Sequence, residues 1–370
     1  MKITNLQLIN FRNYDSVNID FGSNINIIYG NNGEGKTNLV EAIYLLALTK
    51  SFRVNSDKYL LKKGELSTKI SGVIKKNNIE ENYQVIINDK GKQVIIDNNK
   101  ADKISDYIAN IRIILFYPRD TEIITSMPSE RRKLLNIEIS QIYKEYLIVL
   151  ANYNKVIKQR NAYLKELLIN GNASREYLDI LTKKVVEFGK IIWKYRDDYI
   201  NEINKYISDV YKNIFTFGDL KVRYVSDFKK SEAKILDQYR RNYSKEMSIG
   251  KTLFGIHHDD IEFLLDGNRL KEWGSQGQIK NAILSFKLSE IMLIKEIKGD
   301  FPILILDDLF SELDNEKINN ILNMLNDNVQ TFITTTNIEV IQNDIKNKSS
   351  IYKIENGLIK EVTDETRTTL

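Results

Sequence analysis

No cysteine occurs among the 370 residues, which excludes disulfides, thiolate zinc sites and cysteine nucleophiles together. Histidine is almost as scarce, with two residues adjacent at His257 and His258, so a multi-histidine metal centre or a Ser/His/Asp triad lacks its parts. Any metal must therefore be held by oxygen. Proline occurs three times, and none lies between Pro128 and Pro302, which leaves that stretch open to long helices. No run approaches the roughly 18 to 20 apolar residues that span a bilayer, and the start MKITNLQLINF has no basic region followed by an apolar run. A cytoplasmic protein without a membrane segment is expected. The net charge of +4 is too mild to mark a nucleic-acid binder by itself.

What is present is an ordinary globular composition, 42% apolar and 28% charged, in a chain long enough for two or three domains. Alternating apolar residues through Ile3, Leu6 and Leu8, through Val17, Ile19 and Phe21, and through Ile25, Ile27 and Tyr29 predict strands. Further strands are predicted near Lys69–Ile74, Tyr83–Ile87, Gln93–Ile96 and Ile111–Phe116. From Ser129 the apolar positions recur every three or four residues through Ile139, Tyr146, Tyr153 and Leu167, which predicts one long helix. Gly171 to Ala173 interrupt it, and a second pattern from Leu181 to Val210 predicts the return limb of an antiparallel hairpin, an arm. Basic residues outnumber acidic ones along it, which fits a solvated helix face or a DNA-facing one. After Gly250 short strands and helices resume, ending in the buried parallel-type strands PILILDD and TFITTT. The expectation is one discontinuous α/β domain with a helical insertion, divided as residues 1–128, 129–249 and 250–370.

The segment GNNGEGKT fits G-x-x-x-x-G-K-[ST] through Gly30, Gly35, Lys36 and Thr37, and it lies between the strand NINIIY and a helix, as that motif requires. Its glycines let the backbone wrap phosphate oxygens, and the amides of Asn31, Asn32, Gly33, Glu34 and the helix start through Asn38 supply positive potential. Lys36 is placed to bridge β- and γ-phosphates, and the Thr37 hydroxyl to bind Mg2+. In PILILDDLFSELD the apolar strand ends in Asp307, at the carboxyl edge of a parallel sheet where nucleotides bind. Asp307 is the expected second Mg2+ ligand. Asp308 either points away or turns into the site to orient or deprotonate the attacking water; an Asp here could also cap a helix. Ser275, Gly277 and Gln278 start a further helix, whose amides and hydroxyl face an anion or simply cap the turn.

The order of phosphate loop, long insertion, S-x-G-Q helix and apolar strand with paired acids resembles the ATP-binding-cassette class of ATPase heads, including SMC-like proteins. More specifically, LQLINFRNY, GNNGEGKTNLVEAIYLLALTKSFR, FYPRDTEIITSMPSERRKLLN, HHDDIEFLLDG and SQGQIKNAILSFKL resemble, in order, the RecF family of bacterial recombination mediators. That likeness spans nearly the whole chain. It implies an ABC/SMC-like P-loop ATPase head with an inserted helical lobe, binding ATP and Mg2+, with Lys36, Asp307 and Asp308 catalytic. It further implies that Ser275, Gly277 and Gln278 touch the ATP of a second copy, with Ser311 to Asp314 as a D-loop at the same interface.

As a partner set the likeness implies double-stranded or gapped DNA, an ATP-dependent homodimer, RecR and RecO, and weak DNA-stimulated hydrolysis that acts as a switch. The chain departs from the family pattern at Arg119, Ser126, Asn136 and the run Ile256, His257, His258, and Asp120 stands where a Mg2+-sensing glutamine is usual. Arg53 is expected to contact nucleotide or to cap the core, and Arg131 and Arg132 to meet acids or DNA. The competing classes are a P-loop small-molecule phosphotransferase, which lacks the S-x-G-Q and D-loop elements, and a transporter ATPase subunit, which lacks the helical arm.

Overall fold

The alternation seen in the first 100 residues produces an antiparallel sheet. In this computed structural model, which describes residues 1–169, 174–215, 218–309, 313, 315–325 and 328–362, β1 (Lys2–Phe11) pairs with β2 (Tyr14–Asp20) on one side and β4 (Ser67–Lys76) on the other. The sheet continues through β5 (Ile79–Asn88), β6 (Gly91–Ile96) and β7 (Asn99–Lys100). β4 and β5 bury alternate residues, as period-two patterning requires.

The near-continuous apolar runs form a second sheet. Four of its strands run parallel in the order β3 (Ile25–Tyr29), β13 (Thr331–Thr335), β12 (Ile303–Asp307), β8 (Ile113–Phe116), with β8 at the edge. Beside β3 run β14 (Ser350–Glu355), parallel to it, and then β15 (Leu358–Glu361), antiparallel. β12 and β13 are buried at every residue, the pattern of strands covered on both faces. Helix α1 (Lys36–Leu48) contacts strands of both sheets and is buried almost all round, which its apolar sequence LVEAIYLLAL dictates. Gly72 of β4 permits that packing, since a Cβ there would lie 2.5 Å from Leu46 Cδ2. Smaller helices are α2 (Ile104–Ile108), α10 (Asn315–Leu325) and α11 (Asn343–Asn347).

These elements belong to one unit, residues 1–120, 212–216 and 284–370; a second holds 121–211 and 217–283. In the second unit the helix expected from Ser129 is two helices, α3 (Pro128–Ile142) and α4 (Lys144–Ile169). They part at Tyr143, whose backbone is extended at φ −124° and ψ 103° and whose ring lies 5.2 Å from that of Tyr195. Absence of proline removes one cause of a break, and here an aromatic contact accompanies another. The return limb is likewise divided, into α5 (Arg175–Ile203) and α6 (Ile207–Phe215). Between them the Asn204 side chain donates to Val222 O at 2.7 Å and accepts from Val222 N at 2.8 Å, pairing with β9 (Leu220–Val225) as a backbone amide would. The interruption expected at Gly171 to Ala173 lies outside the described residues.

The antiparallel pair α4–α5 is joined by a third helix, α7 (Glu232–Ile249). Arg160 of α4, 1% exposed, donates to Glu246 of α7 at 2.6 Å and to Thr182 of α5 at 3.0 Å. The strand β10 (Asp260–Leu265) pairs with β9 and with the short β11 (Asn268–Arg269), so residues 250–283 cluster with the helical segment and not with the sheet carrying Asp307. α8 (Leu270–Trp273) and α9 (Gln276–Lys298) follow. Among the described residues no helix is long and apolar enough to cross a membrane.

Candidate nucleotide site

The loop after β3 is shaped by close approaches that only glycine permits. At Gly30, φ is +155° and a Cβ would meet the carbonyl oxygen of Ile354 in β14 at 2.3 Å. At Gly35, φ is +119° and a Cβ would lie 2.8 Å from both Asn13 Nδ2 and Tyr14 OH. The turn between β1 and β2 therefore braces the loop: Tyr14 OH donates to Gly35 O at 3.0 Å, Asn13 Nδ2 to Glu34 O at 3.2 Å, and Asn38 Nδ2 to Asn13 Oδ1 at 2.8 Å. Glu34 accepts from the backbone N–H of Asn356. Lys36 Nζ donates to the carbonyls of Gly30 and Asn31, both at 2.8 Å, so the ammonium is held inside the loop. Burial pushes the Lys36 amine below its ordinary range, opposed by Asp308, Asp307 and Glu34.

Strand order brings the acids to the loop across 270 positions of sequence. Asp307 closes β12, and its Oδ1 accepts from Thr37 Oγ1 at 3.2 Å and from Thr334 Oγ1 at 2.6 Å. The Thr334 hydroxyl in turn accepts from Asp308 N at 2.9 Å. Burial pushes the Asp307 carboxyl above its ordinary range, against the two threonine hydrogen bonds, and the charge of Asp308 adds to the rise. Asp308 stands in the left-handed region at φ +51°, which turns it into the same cavity as the loop, of about 220 Å³, lined also by Asn32, Gly33, Lys36, Thr37, Arg53 and Thr334. Asp308 is thus one of the residues that line the cavity.

The oxygens of Thr37 and Asp307 suit a hard divalent cation. Adjacent ligands of octahedral Mg2+ at about 2.1 Å stand roughly 3 Å apart, close to their 3.2 Å separation. A buried carboxylate whose ionised form is disfavoured is also one that a cation would relieve.

Glu41 of α1, fully buried, accepts from Arg12 Nε at 2.9 Å and Nη2 at 2.7 Å and from Ser51 Oγ at 2.5 Å. Arg53 Nη1 lies 3.4 Å from Glu41 and 2.6 Å from Asn38 Oδ1, so it both caps the buried acid and lines the cavity. Asp120 has its backbone N–H on Tyr117 O at 2.9 Å, and its Oδ2 accepts from Tyr117 N at 3.1 Å. Asn13, Tyr14, Glu41 and Thr334 are site residues that motif reading alone does not pick out. The turn text FRNY and the polar end of TFITTT carried the only signals.

Ser275, Gly277 and Gln278 belong to the other unit and are exposed. Ser275 Oγ accepts from Gln278 N at 3.2 Å and Gln278 Oε1 from Ser275 N at 2.9 Å, a reciprocal capping box at the start of α9. A Cβ on Gly277 would meet nothing closer than Ser275 Oγ at 4.0 Å. Of the expected D-loop, Ser311, Glu312 and Asp314 lie outside the described residues.

In the IHHDD segment His257, Asp259 and Asp260 each meet side chains of neighbouring elements. His257 Nδ1 lies 2.7 Å from Tyr153 OH, and burial pushes its imidazole down to about 4. Asp259 is pushed up to about 6 by burial, against Tyr224 and Arg196. Arg131 holds Asp260 with two bonds, at 2.7 and 2.8 Å, and Arg132 donates to Asp259 O at 2.7 Å. Asn136 Oδ1 accepts from Tyr146 OH at 2.6 Å and Arg196 at 3.0 Å.

This arrangement has counterparts among known proteins. Residues 2–360 match the family described as RecF/RecN/SMC N terminal domain. The DNA replication and repair protein RecF of Pediococcus pentosaceus is 35% identical over 374 residues, covering 99% of this chain and 100% of that protein. The chain belongs to the RecF family. The RecF of Lactobacillus acidophilus is 38% identical, over 97% of this chain and 98% of its own. A solved structure of the recombination mediator protein RecF with ATP, in the RecFOR pathway, superposes with TM-score 0.90 at 30% identity, covering 98% of this chain and 97% of that one. An Smc head bound to the C-winged helix domain of ScpA superposes at TM-score 0.57 and 14% identity over 100% of both chains, which shares the fold. The ABC/SMC-like head with its helical lobe is thus the fold of this RecF family member.

Proposed function

We propose that this RecF family chain binds and slowly hydrolyses ATP, that ATP closes two copies on double-stranded or gapped DNA, and that hydrolysis reopens them. The observation that carries the reading is the meeting of Thr37 and Asp307 at 3.2 Å beside the Lys36 loop, a phosphate cradle and a cation pair built from opposite ends of the chain. Lys36 exchanges its two carbonyl partners for β- and γ-phosphate oxygens. Thr37 and Asp307 would hold Mg2+, which would supply charge neutralisation at the phosphates. Asp308 orients the attacking water from the cavity wall. Relatives named for DNA replication and repair, and a RecF structure with ATP described within the RecFOR pathway, support DNA, RecO and RecR as partners.

Ser275, Gly277 and Gln278 complete the site of the second copy. The Ser275 hydroxyl accepts from Gln278 and keeps its own proton for a phosphate oxygen. Gly277 sits in a helix start where its own chain leaves room for a side chain, and glycine there disfavours the helix by up to about 1 kcal/mol relative to alanine. Its use is a surface that another molecule must approach closely. Binding to blunt and gapped duplexes, with and without ATP, tests the reading. ATP should tighten DNA binding by the wild type and not by Ser275→Arg; equal affinity in all arms would sink it.

A further inference from the structure

A hollow of about 280 Å³ beside the Ser275 turn is lined by Leu265, Asn268, Arg269, Leu270, Trp273 and Gln278, among others. Trp273, one of two tryptophans in the chain, is 79% exposed. The backbone that carries it is tightly held. Leu270 is buried, Gly274 N–H donates to Leu270 O at 2.9 Å, and a Cβ on Gly274 would lie 2.6 Å from that oxygen and 3.1 Å from Ile279. The capping box then begins α9 at once. An indole is thus presented to solvent on a tight turn, two residues ahead of Ser275, within a chain reach of about 7 Å.

The loop cavity in the other unit has the opposite character. Its lining residues, Asn32, Gly33, Gly35, Lys36, Thr37, Asn38, Arg53, Asp308 and Thr334, include no aromatic ring. It offers donors to phosphates, and none of these lining side chains carries a π-face.

We propose that Trp273 is the platform on which the purine base of ATP held by a second copy stacks when two copies close. The inference rests on the reading of Ser275 given above: Ser275 meets the phosphate end of that nucleotide and Trp273 its base. Arg269, held by Glu262 and Glu272 at 3.1 Å each, edges the hollow with a guanidinium plane, the usual companion of an aromatic ring in base stacking. Stacking favours a flat heterocycle without reading its edge, so the site would prefer a large purine over a pyrimidine through contact area.

The test uses 1,N6-ethenoadenosine triphosphate with Mg2+ on the full chain, following etheno emission and sedimentation together. Wild type should pair and quench the emission, and Trp273→Phe should retain most of both. Trp273→Ala should bind nucleotide as a monomer with unchanged affinity, pair about tenfold more weakly and leave the emission unquenched. Ser275→Arg should bind nucleotide without quenching. Normal pairing and quenching by Trp273→Ala would overturn the proposal alone. Weaker pairing of Trp273→Ala with no quenching in the wild type would assign the ring to a protein contact and overturn it too. Absence of pairing by the wild type would overturn both the proposal and the reading on which it rests.

Discussion

Thr37 Oγ1 donates to Asp307 Oδ1 at 3.2 Å, joining the first turn of α1 to the end of β12. The bond exists because β13 lies between β3 and β12, and Thr334 of β13 donates to the same oxygen at 2.6 Å. Thr37 Oγ1 and Asp307 Oδ1 are the two oxygens that would hold a divalent cation brought in with the nucleotide.

Asp307→Asn should lower ATP turnover by at least about 100-fold, the order expected when a charge acting directly on the transition state is lost. The folded-state carboxyl pKa is raised by burial, so the ionised form at neutral pH opposes folding. Without nucleotide, the variant should therefore melt at or above the wild-type temperature. Calorimetry with and without Mg-ATP separates the two effects; a large loss of stability without nucleotide would count against the assignment.

Gly30→Ala and Gly277→Ala should behave oppositely. The first drives a Cβ to within 2.3 Å of a backbone oxygen and should destabilise the fold by about 1–3 kcal/mol. The second has open space and should change stability by no more than about 1 kcal/mol, yet weaken ATP-dependent pairing. Urea denaturation and sedimentation read the two properties separately.

His257 and Asp259 should give opposing pH dependences. The imidazole is lowered to about 4, so its contribution is full above the unfolded value near 6.5 and is lost as pH falls towards 4. The Asp259 carboxyl is raised to about 6, so its contribution is full below the unfolded value near 3.9 and is lost as pH rises through 6. Stability of His257→Gln should rise, relative to wild type, between pH 7 and pH 5, and that of Asp259→Asn should fall. Urea midpoints at the two pH values measure both slopes, and parallel slopes would refute the assignment.

Arg160→Ala should cost about 3–5 kcal/mol, because it strands the buried Glu246 carboxylate. Pairing Arg160→Met with Glu246→Leu should recover part of the loss. Thermal unfolding of the single and double variants decides whether this ion pair ties α4, α5 and α7 together.

The strand, loop and helix around Lys36 were legible because each is specified locally: an apolar run, glycines where side chains would collide, then a helical pattern. Asp307 was legible for the same reason. Thr334, Asn13 and Tyr14 were not, since their roles depend on strand order and on a hairpin folding back over the loop, which no local pattern encodes. The break at Tyr143 was hidden because helical periodicity persists across it, and the Tyr195 ring opposite lies 52 positions away. The grouping of residues 250–283 with the helices follows from β9 pairing with β10, a contact between segments that read separately as ordinary strands.

The most direct test of a nucleotide site completed by a second copy is sedimentation equilibrium in Mg-ATP, with Asp308→Asn used to slow hydrolysis. The account predicts a dimer for Asp308→Asn with ATP, a monomer without it, and a monomer in both cases for Ser275→Arg combined with Asp308→Asn, although that variant still binds ATP. The same mass with and without ATP for Asp308→Asn, or an ATP-dependent dimer that survives Ser275→Arg, would contradict it.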